Sequence, residues 1–165
     1  MEDGKVFNVL FLCTHNSARS IMAEVILNHV GKGRFRGYSA GSMPGPAPNP
    51  FAIRTLTNLH LPTDRLYSKD WRVFAQPDAP IMDFVFTVCD NAAGEACPVW
   101  PGQPATAHWG VEDPSLFQGS DEEKMHEFSR VANILKRRIE FLISLPLAKL
   151  DRLTLQQKVR DIGTE

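Results

Sequence analysis

Apolar residues along this chain follow two periods in turn. From Val6 to Leu12 they run almost unbroken, as in a strand buried on both faces of a parallel sheet. From Ala18 or Arg19 the spacing becomes helical, with Ile21, Met22, Val25 and Ile26 on one side. Gly31-Lys32-Gly33 breaks that pattern, and Phe35 to Ala40 reads as a second strand ending at Gly41. The Pro/Gly-rich stretch 42–50 is a loop, followed by a helix from Asn49 to Leu59 with Phe51, Ile53, Leu56 and Leu59 as its apolar side. Ser68-Lys69-Asp70-Trp71 starts a short helix, with Ser68 as its cap, that Pro77 and Pro80 end. Asp83 to Cys89, DFVFTVC, is the strongest strand of the second half and belongs in the centre of a sheet. Thr106 to Trp109 forms a short last strand. The longest helix covers 121–145, where Phe128, Val131, Ile134, Leu135, Ile139 and Leu142 recur at helical spacing behind Asp121, Glu122 and Glu123. Pro146 stops it, and a tail follows with one more short helix from Thr154 to Ile162.

Strands alternating with helices predict an α/β fold: a single three-layer domain with a central, mostly parallel four-stranded sheet flanked by helices. The core spans about 5–146, with a C-terminal tail over 147–165. Ligands of such sheets bind at the carboxyl ends of strands. Cys13 and Cys89 both stand there.

Between the first strand and helix lies Cys13-Thr14-His15-Asn16-Ser17-Ala18-Arg19. A loop wrapping round at a helix N-terminus aims several backbone N–H groups at one centre. With the helix dipole behind it, such a nest binds a tetrahedral oxyanion. The candidate oxyanion-binding residues are Thr14, His15, Asn16, Ser17, Ala18, Arg19 and Ser20, with Arg19 adding a planar fork of donors. Cys13 sits in the same positive field, which favours thiolate over thiol and makes it a nucleophile beneath the bound anion. Asn16 suits a left-handed backbone position in the loop. Ser17 or Ser20 is placed to hydrogen-bond the thiolate.

Charge and cysteine usage narrow the setting. The 165 residues carry 18 Lys and Arg against 19 Asp and Glu, which argues against nonspecific nucleic-acid binding. No apolar run approaches a membrane span, and the acidic start MEDGKVF does not read as a signal peptide, so a cytoplasmic monomer is expected. Three cysteines do not suit a disulfide framework; in a reducing compartment they suggest reactive thiols. Cys89 and Cys97 stand eight positions apart, one at a strand end and one in a loop rich in Ala, Gly and Pro. That spacing is a poor metal site. Beside a reactive Cys13 it suits a relay of thiols. Asp113, in Glu112-Asp113-Pro114, is either a turn residue or a functional carboxyl.

Cys13-x5-Arg19-Ser20 after the first strand resembles the low-molecular-weight protein tyrosine phosphatases and the arsenate reductases built on the same fold. These families usually have Gly where this chain has His15. The segment VCDNAAGEACPVWPGQPATAHWGVEDP is similar to the arsenate reductase branch, which carries a cysteine at this strand end, another in the following loop, and Trp-Gly before Asp-Pro. Phosphatases of the fold lack that cysteine pair and usually have a tyrosine just after Asp-Pro, where this chain has Ser115-Leu116-Phe117. The resemblance implies arsenate as substrate, Cys13 as nucleophile, Asp113 as general acid, and disulfides passing from Cys13–Cys89 to Cys89–Cys97. It implies no bound cofactor and an external thiol reductant, thioredoxin or glutathione/glutaredoxin. The alternative is a phosphatase hydrolysing phosphomonoesters with Cys13, Arg19 and Asp113 alone. Some relatives hold a potassium ion at positions matching Asn16, Glu24, Ser39 and Asp70; that set equally forms a capping network, so no metal is assigned.

Overall fold

The computed structural model describes residues 5–89 and 100–164. Its centre is the strand β1 (Phe7–Cys13), in which Val9, Leu10, Phe11 and Leu12 expose no surface. Such a run needs apolar cover on both faces. Val9 and Phe11 face the larger core, and Leu10 and Leu12 a smaller one. β1 starts one residue later than the apolar pattern suggests, because its ladder opens at the pair Phe7 and Phe35 and leaves Val6 partly exposed. It lies between β2 (Phe35–Gly41) and β3 (Phe84–Thr87), and β4 (Ala105–His108) completes the all-parallel order β2-β1-β3-β4. The chain thus moves outward from β1 to β2 and returns to the other side of β1. That reversal opens a crevice at the carboxyl ends of β1 and β3.

The expected strand over Asp83 to Cys89 is shorter than its apolar pattern. Asp83 sits outside the ladder, where its carboxylate accepts from Asn8 N at 2.8 Å. Beyond β3, Val88 N still donates to Leu12 O at 2.8 Å, which carries Cys89 alongside the end of β1.

Helices α1 (Arg19–Val30), α2 (Pro50–Asn58) and α3 (Asp121–Ile143) pack together on the larger core. Their starts are written locally. Asn49 caps α2 by accepting from Phe51 N, with Pro50 at the first helical position, where its missing N–H has no consequence. Ser120 and Glu123 form a reciprocal capping box at α3. On α2 the buried positions are Ala52, Thr55 and Leu56, while Leu59 falls at the C-cap and is largely exposed. α3 ends at Ile143, two residues short of expectation.

The short helix expected from Ser68 is a 3₁₀ turn over Trp71–Phe74, capped by Asp70 and not by Ser68. The reason is competition: the Ser68 hydroxyl donates to Asn16 O at 2.7 Å. Trp71 and Phe74 cover the second sheet face with Met82 and Trp100. The last helix, α4 (Arg152–Ile162), starts two residues before Thr154 because Asp151 caps it. It packs on β4, buries Val159 and Ile162, and accepts the Trp109 indole N–H at Val159 O, 2.9 Å away. Among the described residues no helix is long and apolar enough to cross a membrane.

Candidate active site

The loop between the first strand and the first helix lies where the pattern places it. β1 ends at Cys13, residues 14–18 turn, and α1 starts at Arg19. Ala18 is the N-cap and has no side chain to spend on the first-turn N–H groups, so these remain available to an anion. The outer side of the loop is tied down by the segment after β2. Met43 N donates to Thr14 O at 2.8 Å, Gly45 N to His15 O at 3.0 Å, and Asn49 N to Ser17 O at 2.7 Å. Gly41 must be glycine for this closeness: a Cβ there would lie 2.5 Å from Thr14 O. His15 is exposed, its Nδ1 3.0 Å from Met43 O.

Asn16 is the pin of the loop. It is fully buried with φ of 48°, the left-handed conformation expected of it. Its Nδ2 donates to Ser20 Oγ at 2.9 Å, and its Oδ1 accepts from Lys69 N at 2.9 Å and Lys69 Nζ at 3.3 Å. The Lys69 ammonium also lies 3.4 Å from Ser39 Oγ and 3.8 Å from Glu24 Oε1. Ser39 donates to the same Glu24 oxygen at 2.5 Å. Three of the four positions matched to a potassium site therefore face the chain's own cation, and a resident ion does not fit there. The fourth, Asp70, turns to Arg72 at 2.8 Å. Burial pushes the Glu24 carboxyl up and the Lys69 ammonium down from their ordinary ranges, each opposed by the other's charge.

Cys13 and Cys89 are both buried free thiols, hydrogen-bonded to each other. Thr14 Oγ1 lies 3.5 Å from Cys89 Sγ, so the hydroxyl beside the thiols is Thr14's rather than Ser17's or Ser20's. The contact with Cys89 and then burial raise the Cys13 thiol far above its ordinary range, while Arg19 and the Thr14 backbone N–H pull it down. This corrects the expectation of a simply lowered value, because the sequence shows the positive field and not the second thiol.

Over the thiols, Arg19 bridges to the loop after β4. Its Nη1 donates to Val111 O at 3.1 Å, and Nη2 lies 3.4 Å from Asp113 Oδ2. Asp113 caps a 3₁₀ turn over Pro114–Leu116, with Oδ1 accepting from Ser115 N at 2.9 Å and Ser115 Oγ at 2.6 Å. Its second oxygen is thereby aimed at Arg19. The Cys13 thiol, the loop at the start of α1, the Arg19 guanidinium and the Asp113 carboxyl thus converge, with the Cys89 thiol beside the first. Cys97 lies outside the described residues. Sequence reasoning missed Lys69, Ser68, Gly41 and the segment over 43–49, which hold the nest from behind. Only the glycine at the strand end was a visible signal.

Comparisons with known proteins place the chain in a family. The model of the family "low molecular weight phosphotyrosine protein phosphatase" matches residues 8–158. An arsenate reductase of Shouchella clausii is 34% identical over 132 residues, covering 80% of this chain and 91% of that one. A solved structure described as an arsenate reductase in the phosphate binding state has a TM-score of 0.68 at 28% identity, over 84% of this chain and 97% of that one. A low molecular weight protein tyrosine phosphatase from T. tengcongensis, at 24% identity and TM-score 0.67 over 83% of this chain and 97% of that one, shares the fold.

Proposed function

The chain belongs to the low molecular weight phosphotyrosine protein phosphatase family, and we propose that within it this protein is an arsenate reductase. The observation that carries this reading is the Cys89 thiol lying against Cys13. Phosphoester hydrolysis uses one cysteine; reduction of an oxyanion by two electrons uses two.

Arsenate enters the nest and is held by loop N–H groups and Arg19. The Cys13 thiolate attacks arsenic, and Asp113 gives a proton to the departing oxygen, which leaves as water. Cys89 then attacks the Cys13 sulfur. A Cys13–Cys89 disulfide forms, and the electron pair of the sulfur–arsenic bond leaves with arsenic as arsenite. Cys97 attacks Cys89 and frees Cys13 as thiolate, leaving Cys89–Cys97. Two reducing equivalents from an external dithiol or from glutathione, delivered by thioredoxin or glutaredoxin, return both sulfurs to thiols. The contact between Cys13 and Cys89 suits the order of these steps. Cys89 stands beside the nucleophile, with its Sγ 3.5 Å from Thr14 Oγ1, and is within reach once the arsenic adduct has formed.

The test is arsenite release from arsenate with each reductant system, beside hydrolysis of p-nitrophenyl phosphate. Arsenite formation that requires Cys89 is expected. Efficient hydrolysis without arsenite formation would overturn the reading in favour of a phosphatase.

A further inference from the structure

The face of α3 that meets the core is apolar with one exception. Phe128, Val131, Ala132, Leu135, Ile139 and Leu142 are buried, and among them Arg138 keeps only 7% of its surface. A guanidinium is expensive to bury, so its bonds merit a reason. Its Nη1 donates to two consecutive carbonyls, Trp109 O at 2.8 Å and Gly110 O at 3.0 Å. These are the first two peptides beyond β4. The next residue is Val111, whose N–H donates to Val88 O at 3.2 Å and whose carbonyl accepts from Arg19. Two residues further comes Asp113.

We propose that Arg138 is a positioning residue for Asp113: it fixes the root of the loop that carries the acid over the nest. The inference rests on Asp113 being the general acid of the reaction proposed above. Trp109 has anchors of its own. Its ring stacks on Phe86 with centroids 3.8 Å apart, its backbone N–H donates to Thr87 O at 2.7 Å, and its indole donates to Val159 O. Removing Arg138 therefore leaves β4 in place and slackens the chain from Gly110 onward. Both carbonyls are served by one nitrogen, so a lysine ammonium reaching the same point can donate to both.

The experiment compares Arg138→Met and Arg138→Lys in the full chain, each also combined with Asp113→Asn. Amide exchange is read along residues 109–116, and single-turnover arsenite formation is read on reduced protein. In Arg138→Met, exchange at Val111 and Ser115 should rise about tenfold or more while that at Trp109 stays near its parent value. Single-turnover rate should fall roughly ten- to a hundredfold, the range expected for a small misplacement of a catalytic group. In the Asp113→Asn background the same substitution should have no further effect on rate, and Arg138→Lys should recover most of the loss. Unchanged exchange at Val111 and Ser115 would overturn the inference and leave the proposed function standing. So would a rate loss that persists in full without the Asp113 carboxyl, the sign of a merely structural role. A parent protein that makes no arsenite, or an Asp113→Asn variant with parental rate, would instead overturn the reading on which the inference rests.

Discussion

Cys89→Ala tests the thiol pair most directly, because two consequences run in opposite directions. The hydrogen bond with Cys89 is the first cause of the raised Cys13 thiol, ahead of burial. Removing it leaves Arg19 and the Thr14 N–H acting with less opposition. Hydrogen bonds to charged groups contribute roughly 1.5–3 kcal/mol. At about 1.4 kcal/mol per tenfold, that corresponds to roughly ten- to a hundredfold more Cys13 thiolate at fixed pH. The sign follows from the raised thiol: in the variant, the climb of Cys13 reactivity with pH moves to lower pH than in the parent. The assay is the pH dependence of Cys13 alkylation by iodoacetamide, followed by mass spectrometry.

The same variant should lose multiple-turnover arsenate reduction, since nothing remains to attack Cys13 and release arsenite. Hydrolysis of p-nitrophenyl phosphate should persist or improve. Cys89→Ser, which keeps a hydrogen-bonding group of similar size, should change alkylation less and abolish reduction equally. Slower alkylation of Cys13 in Cys89→Ala would refute the reasoning about the pair. Sustained arsenite production by it would refute the assignment of Cys89.

Cys13→Ser should remove both arsenate reduction and phosphoester hydrolysis, because a serine hydroxyl is not ionised near neutral pH; turnover above a few per cent would place the nucleophile elsewhere. Arg19→Lys should weaken oxyanion binding severely, as a point charge cannot replace a planar fork, and calorimetry with phosphate reads the loss. Asp113→Asn should slow single-turnover arsenite formation by roughly 10²–10⁴-fold with phosphate affinity nearly intact. Lys69→Met should destabilise the fold by about 2–3 kcal/mol in urea titration, somewhat less than for a fully buried pair broken on one side, since Glu24 is left without its cation. Adding Glu24→Gln should recover part of that loss.

The extent to which the chain announced this structure follows the range of the forces involved. β1 was legible because a run of four fully buried residues has few other homes, and the loop after it because Cys-x5-Arg combines a nucleophile and an anion fork at fixed spacing. Asn49, Ser120 and Asp151 act on residues two or three positions away, and two of these three caps left a visible trace in the expected boundaries. Ser68 shows where such reasoning fails. It is a good capping residue beside a good helix start, yet it bonds Asn16, 52 positions away, and Asp70 takes the local role. Nothing within a few residues of Ser68 encodes that choice.

The thiol of Cys13 failed for the same reason in a more consequential way. Its immediate sequence supplies only influences that favour the thiolate: the loop N–H groups, the helix end and Arg19. What opposes them comes from Cys89, 76 positions later in the chain, brought alongside because Val88 N bonds to Leu12 O. That one backbone bond beyond the formal end of β3 sets the reading of the site. If the strand frayed at Thr87, Cys13 would stand alone in its nest, a thiolate suited to hydrolysis. With the bond made, Cys89 stands beside Cys13, which is the placement the proposed disulfide step requires. The same logic extends to the rear of the loop, where Lys69 supplies from within the chain the positive charge that Asn16, Glu24 and Ser39 together face. In both places the decisive group is invisible in the motif itself and arrives through pairing of distant segments, so the motif fixes where chemistry occurs and the tertiary contacts decide which chemistry it is.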